Sequence, residues 1–290
     1  MPARLVLEAM RPRQWIKNAF VLGGLVFSGE ALDPTHELQA WTAFLAFCLV
    51  SGATYLVNDV ADAEADRHNP RTARRPVARG DLAPRTALLA AGLAGGAGLA
   101  LAAAVNWRTL ATLGAFIVLQ LLYSAWLKHV LFVDVMTIAA GFVLRAFAGL
   151  VAVEVAISPW LLLCTGLLAL FLGLAKRRGE AVALGGTHHP QRPVLEHYSV
   201  ALLDELIGVV TPSILVAYAL YTVLGARAGD SMMLTVPFVI YGIFRVLWRI
   251  HHRSASTEEP AMVVWRDRPL LICIALWGLT AAVISVAAGQ

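Results

Sequence analysis

The chain has 290 residues, of which 59% are hydrophobic and only 14% charged, with a formal net charge of +4 and a mean hydropathy of +0.70. Soluble globular domains carry roughly a quarter charged residues, so this composition excludes one and points to an all-α, polytopic membrane protein. The three cysteines, Cys48, Cys164 and Cys273, lie inside apolar runs without metal-ligand spacing and read as buried free thiols, not as a disulfide or metal framework.

In chain order, residues 1–18 carry Arg4, Arg11, Arg13 and Lys17 with no apolar core of their own, so no cleavable signal peptide is expected. The stretch Arg11-Pro12-Arg13-Gln14-Trp15-Ile16-Lys17-Asn18 has two readings. It is an interfacial anchor of Trp and basic residues meeting anionic lipid, or its Lys17 and Asn18 line a polar cavity at the membrane surface. Nine apolar runs follow, at 16–29, 38–57, 84–105, 109–127, 132–153, 158–175, 206–226, 232–248 and 269–288. A crossing of roughly 30 Å of hydrocarbon needs about 20 residues, so the first is short and enters at a tilt. Together they predict a helical bundle of nine transmembrane helices forming one membrane domain over 1–290.

The end of the second run holds Asn58-Asp59-Val60-Ala61-Asp62-Ala63-Glu64-Ala65-Asp66-Arg67. At about 100° per residue, Tyr55, Asn58, Asp59, Asp62 and Asp66 share one arc of a helix and Glu64 points away. Three carboxylates on one face repel each other, and the helix C-terminus is already negative. Something positive must therefore sit there. An oxygen-only ligand set without His or Cys favours a hard cation, most simply Mg²⁺. Arg71, Arg74, Arg75, Arg79 and Arg85 come next, and carboxylates beside clustered arginines suit a metal-bound phosphate or diphosphate. The same stretch also reads as a solvated, mixed-charge loop between two membrane helices.

Lys and Arg fix the expected orientation. With nine crossings, twenty of them fall on the side of the N-terminus and the Asp-rich loop, against Arg108 and Arg227 on the other, with Arg145 inside the fifth run. The Asp-rich loop is thus expected in the cytoplasm and Gln290 outside. The outer connections are near-minimal turns, so function is expected on the cytoplasmic face.

The fifth run contains Asp134 and Arg145, which share a face with Gly141. Ionisable residues inside a membrane face the bundle interior and are functional by default. The two lie about 16 Å apart along the axis at about 1.5 Å per residue, so each needs another partner. Asp134 is a candidate for the metal or hydroxyl site; Arg145 either touches substrate or bonds carbonyls of a neighbouring helix. The sixth run ends in Lys176-Arg177-Arg178-Gly179-Glu180. Basic residues at a helix end satisfy the dipole and the positive-inside bias, or they clamp phosphate, with Tyr198 adding a hydroxyl. His188-His189 and His251-His252 read as solvated pairs, because adjacent helical residues do not face a common point.

The motif Asn58-Asp59-x-x-Asp62-x-x-x-Asp66 in a nine-span chain resembles the UbiA superfamily of intramembrane prenyltransferases. Further stretches are similar to its decaprenyl-phosphate phosphoribosyltransferase branch: Arg11 to Asn18, Asp66-Arg67-x-x-Pro70, Arg75-Pro76-x-x-x-Gly80, Leu127-Lys128 ahead of Asp134, Gly141-Phe142-Val143-Leu144-Arg145, and Ala175-Lys176-Arg177. Members of the wider superfamily carry a second Asp-rich motif after the sixth span; here that loop offers Lys176, Arg177, Glu180 and Tyr198. The resemblance implies phosphoribosyl diphosphate (PRPP) as donor, a polyprenyl phosphate as acceptor, and Mg²⁺ on Asn58, Asp59, Asp62 and Asp66, with the three aspartates catalytic. It implies PRPP or phosphate contacts from Lys17, Asn58, Arg67, Arg74, Arg75, Lys128, Asp134, Lys176 and Arg177. Arg11, Gln14, Lys17, Arg145, Glu180 and Tyr198 would meet the polyprenyl phosphate. The expected setting is a bacterial plasma membrane and arabinogalactan precursor synthesis for the cell wall. A homo-oligomer is compatible with this, and no nucleic acid partner is expected. The alternatives are a UbiA-type aromatic prenyltransferase using a polyprenyl diphosphate, which the missing second motif disfavours, and a transporter or flippase. The latter needs polar residues through the membrane depth, which the third, seventh and ninth runs lack.

Overall fold

The computed structural model describes residues 2–27, 33–68, 72–184, 193–225, 229–252 and 267–289. Among them there are helices and no strands. The α-helices are α1 (Pro2–Ala9), α2 (Gly23–Phe27), α3 (Pro34–Ala61), α4 (Ala63–Arg67), α5 (Pro84–Val105), α6 (Trp107–Ala125), α7 (Val133–Ala152), α8 (Pro159–Leu184), α9 (Val200–Leu220), α10 (Val236–His252) and α11 (Arg268–Gly289). Eight helices among the described residues are long and apolar enough to cross a membrane.

The expected first crossing, 16–29, has a different form. It is a 3-10 helix over Pro12–Leu22 continued by α2, with Gly23 in right-handed helical angles. Eleven 3-10 residues rise about 22 Å and five α-residues about 7.5 Å. This segment is not among the eight helices long and apolar enough to cross a membrane.

Three other boundaries moved for physical reasons. Helix α3 begins at Pro34, where the Asp33 carboxylate accepts from the amides of Thr35 (2.7 Å) and His36 (3.4 Å). Those two bonds hold the Asp33 carboxyl below the usual range. Helix α9 begins at Val200, capped by Ser199, well before the expected 206. The hydropathy criterion discards Asp204 and Glu205, but Asp204 is matched by Arg178 at 2.5 Å. Helix α8 runs on to Leu184, so Lys176, Arg177 and Glu180 sit within a helix and not in the loop expected there. Arg177 and Glu180 pair at one helical step, which offsets the cost of charges in an otherwise apolar helix.

The chain divides into two compact units: Met1–Leu25 with Leu32–Ala125 and Leu144–Val155, and Val26–Ala31 with Trp126–Val143 and Ala156–Gln290. In lipid there is no hydrophobic drive between helices, so close packing needs small residues. In the first unit α3 is the hub. A Cβ on Gly98 of α5 would lie 2.8 Å from Val50 Cγ2 and 2.9 Å from the Ala46 carbonyl. Gly149 of α7 touches the N-terminal segment even more closely: a Cβ there would lie 1.8 Å from the Val21 carbonyl oxygen. Val21, Phe47, Val50, Leu113, Phe116 and Ala148 close this core. Asn106 serves both sides of the turn between α5 and α6. Its amide donates to the Val151 carbonyl (2.9 Å), left over at the end of α7, and its oxygen accepts from Thr109. In the second unit, Val135, Phe171, Leu174, Tyr198, Leu203 and Ile207 form one core from α7, α8 and α9. Cys48 and Cys273 are buried and Cys164 is half-buried, all as free thiols.

Candidate active site

The first unit gathers the Asp-rich stretch with two arginines. Helix α3 stops at Ala61; Asp62 caps it with φ −93° and ψ 4°, and α4 resumes at once, the Asp66 amide donating to the Asp62 carbonyl at 2.8 Å. The near-continuity keeps Asp59 and Asp66 on one side. Both are buried, at 1% and 4% exposure, whereas Glu64 is exposed and paired with Arg67 at 3.0 Å. Asp59 Oδ1 accepts from Arg11 Nη2 and lies 3.4 Å from Arg75 Nη1. The same Arg75 nitrogen donates to Asp66 Oδ2 at 2.5 Å. The positive charge demanded by the carboxylates is therefore supplied by guanidinium groups. Asp59 Oδ2 is buried and makes no hydrogen bond.

The backbone shows how each arginine arrives. Arg11 follows α1 in the left-handed region, φ 55° and ψ 63°. A residue before proline avoids the right-handed helix, and the left-handed region costs a non-glycine residue about 1–2 kcal/mol. Its ion pair with Asp59 and its seat 4.7 Å over the Tyr55 ring offset that cost. Arg75 lies in the turn between α4 and α5. That turn is tied back by Arg67 Nε to the Ala78 carbonyl (3.2 Å) and by Thr72 Oγ to the Asp66 carbonyl (3.3 Å). Gly80, at φ 85°, closes it in a conformation that favours glycine.

The other expected residues of this unit are placed as follows. Asn58 Oδ1 accepts from Ser124 at 2.9 Å. Asp62 is half-buried, and its carboxylate has no hydrogen bond or ion pair among the described residues. Arg67 and Arg74 are exposed, and Lys17 and Gln14 half-buried, with Gln14 Oε1 lacking a hydrogen-bond partner. Arg145 is buried. It donates from Nε to Asn18 Oδ1 at 2.8 Å and stacks 4.5 Å over Phe116.

The second unit holds the other constellation. Asp134, fully buried, receives Arg177 Nε at 2.6 Å and the Tyr198 hydroxyl at 2.8 Å. Arg177 Nη1 also donates to Glu180 at 2.6 Å. The Tyr198 oxygen accepts from the amide of Phe132, which stands at φ 65°. Burial first, then the bond to Asp134, push the Tyr198 hydroxyl above its ordinary value, so it stays a donor at physiological pH. Arg177 is 1% exposed and engaged by two carboxylates. Lys176 and Lys128 are half-buried.

Among the described residues no three His, Cys, Asp or Glu side chains converge as a ready cage for a metal. Of the arginines expected beside the carboxylates, Arg75 is there, joined by Arg11. His251 and His252 are exposed and bond carbonyls of their own helix; His188 and His189 lie outside the described residues, as do Arg71, Arg192, Arg227, Arg253 and Arg266. Sequence reasoning missed Ser124, Arg178 with Asp204, and Asp267, which caps α11 and is gripped by Arg245 (3.1 Å) and Arg249 (2.6 Å). The signal available for the last two was a carboxylate bordering an apolar run with arginines elsewhere unmatched. Ser124 gave none.

The UbiA prenyltransferase family matches residues 18–267 of the chain. The chain is similar to a decaprenyl-phosphate phosphoribosyltransferase of Mycolicibacterium smegmatis, with 30% identity over 284 residues, 94% of this chain and 89% of that protein. A protein of the same name from Mycobacterium tuberculosis is also 30% identical over 284 residues, covering 95% of this chain and 93% of that one. A solved UbiA homolog from Archaeoglobus fulgidus, bound to GPP and Mg²⁺, shares the fold with a TM-score of 0.72 at 20% identity, over 98% of this chain and 99% of that one.

Proposed function

The chain belongs to the UbiA prenyltransferase family, and we propose that it transfers 5-phosphoribose from PRPP to a polyprenyl phosphate, decaprenyl phosphate by analogy with its named relatives, releasing diphosphate. The protein is a multi-pass membrane transferase, and the proposed setting is the plasma membrane with the Asp-rich end in the cytoplasm, serving arabinogalactan precursor synthesis. The observation that carries the reading is the buried Asp59 carboxylate, held on one oxygen by arginine and unpaired on the other, beside a second buried carboxylate on the same arginine.

A hard cation fits these donors. Asn58, Asp59, Asp62 and Asp66 offer only oxygen, and Asp59 Oδ2 is a desolvated acceptor lacking a partner. These four residues would hold Mg²⁺, which when bound supplies charge neutralisation to a diphosphate leaving group. The chain's own side chains do the positioning. Arg11 and Arg75 present guanidinium groups at the carboxylates, where a diphosphate would be met bidentately. Exposed Arg67 and Arg74 and half-buried Lys17 add positive potential for the 5-phosphate and the lipid phosphate. The acceptor oxygen of a phosphomonoester is anionic near pH 7, so no strong general base is needed. As leaving-group departure builds positive charge on ribose C1, preorganised electrostatics and orientation carry the rate. In the second unit, Tyr198, Asp134, Arg177 and Glu180 act as a fixed scaffold. Lys176, the neighbour of Arg177 on α8, is a proposed phosphate contact.

The test is a purified-protein assay with labelled PRPP and decaprenyl phosphate, with and without Mg²⁺. Labelled lipid is expected only with both substrates and the metal. Aromatic prenylation of 4-hydroxybenzoate from a prenyl diphosphate, with no label passing from PRPP to lipid, overturns the proposal.

A further inference from the structure

We infer that Arg11 and Arg75 are exchangeable counter-cations: in the unloaded enzyme they neutralise Asp59 and Asp66, and they pass to the diphosphate when a divalent cation takes the carboxylates. The inference rests on the metal–diphosphate reading of this site and adds the order of charge movements within it.

Charge balance is the first argument. Two buried carboxylates face two guanidinium groups, a neutral set. A cation of charge +2 replaces both arginines on the carboxylates without leaving a buried charge uncompensated, a state that costs several kcal/mol. The freed guanidinium groups then face the anion that arrives with the metal. Neither step requires a bare charge in a low-dielectric site.

The quality of the pairing is the second argument. A permanent buried ion pair satisfies both oxygens of its carboxylate. Here Arg11 and Arg75 crowd one oxygen of Asp59 and leave the other unpaired, and a single Arg75 nitrogen is divided between Asp59 and Asp66. Both arginine side chains keep 28% of their surface exposed, so each has room to move. Arg177 shows the contrast within the same protein. It is 1% exposed, with separate nitrogens on Asp134 and Glu180. The backbone adds a third point. Arg11 sits in the left-handed region, and strain of this kind accompanies segments that have two arrangements.

The experiment measures Mn²⁺ binding to the full-length protein in lipid nanodiscs by electron paramagnetic resonance. It is done with and without inorganic diphosphate, correcting for Mn²⁺–diphosphate in solution. In the wild type, diphosphate is expected to tighten Mn²⁺ by about tenfold, within the usual range of coupling between sites. In Arg75→Gln, Mn²⁺ alone should bind at least about threefold tighter than in the wild type, and the tightening by diphosphate should fall to less than about threefold. Arg11→Gln should move both quantities in the same directions and serves if Arg75→Gln does not fold. Asp59→Asn should abolish Mn²⁺ binding with or without diphosphate. If Asp59→Asn binds Mn²⁺ as the wild type does, the metal reading itself fails, and the exchange with it. If Asp59 is required but the arginine variants bind Mn²⁺ no tighter, or keep the full effect of diphosphate, the site stands and the exchange is wrong. A purely structural Arg75 gives the opposite sign, with Mn²⁺ affinity lost along with thermal stability.

Discussion

Gly149→Ala should destabilise the protein although it adds one methyl group far from the Asp-rich stretch in sequence. The new Cβ would stand 1.8 Å from the Val21 carbonyl oxygen, while ordinary contact begins at 3.4 Å, so the two backbones must part by about 1.6 Å. Overpacking of this kind costs about 1–3 kcal/mol. Gly149 lies one turn beyond Arg145 on α7, and Val21 lies three residues after Asn18. The separation therefore also stretches the 2.8 Å bond from Arg145 to Asn18. Weakening a hydrogen bond to a buried cation adds about 1.5–3 kcal/mol. Together these should lower the unfolding temperature by roughly 5–10 °C, on the usual scaling for a chain of this size. Thermal unfolding of the detergent-purified protein, followed by intrinsic tryptophan fluorescence, reads this directly. Gly92 is the internal control. It is a helical glycine of α5 with nothing within 4 Å of an added Cβ, so Gly92→Ala should leave the transition unchanged or raise it slightly. Asn18→Ala should lose stability less than additively with Gly149→Ala, since both act on the same contact. Equal transitions for the two glycine variants would refute the argument.

Three further outcomes follow from the geometry. Asp59→Asn should abolish turnover in the phosphoribosyl-transfer assay while Glu64→Gln stays within about threefold of wild type, because Asp59 is buried among arginines and Glu64 is exposed; comparable losses would remove the case for a one-sided site. On a background without the three native cysteines, Arg85→Cys at the exposed start of α5 should react with a membrane-impermeant maleimide only from the cytoplasmic side, and a cysteine appended after Gln290 only from outside; labelling of both from one side would remove the ninth crossing. Tyr198→Phe should cost about 1–3 kcal/mol in thermal stability, because it strands the amide of Phe132 and one oxygen of Asp134; an unchanged transition would mean that the hydroxyl does not tie this unit together.

The membrane class and the Asp-rich face were legible because both rest on local rules. Apolar run length reports a crossing, and a 100° step separates Asp59 and Asp66 from Glu64 even though the helix is interrupted at Asp62. What could not be read was partnership. Arg11 reaches Asp59 across 48 positions and Arg177 reaches Asp134 across 43, and no periodicity within either segment encodes the pairing. The misplaced start of α9 and end of α8 have the same origin. Asp204 and Arg178 each look like the polar edge of a span until they are seen to neutralise one another. The 3-10 form of the first segment was equally hidden, since hydropathy counts residues and not the rise per residue.

The two arginine sets show why a basic residue next to a membrane span is an ambiguous signal. Arg75 and Arg177 are both adjacent to motif residues, and sequence reasoning gave them the same task. A guanidinium can bind substrate phosphate only if leaving its protein partners is affordable in free energy. Arg177 would have to abandon two short bonds and leave Asp134, wholly buried, with only the Tyr198 hydroxyl. Breaking a buried pair in this way costs about 3–5 kcal/mol, which is a large fraction of the stability of most proteins. Arg75 shares one nitrogen between two carboxylates that a divalent cation would itself neutralise, so its departure leaves no uncompensated charge. Under the proposed function, burial and completeness of pairing therefore favour Arg75 over Arg177 as the arginine that meets substrate phosphate.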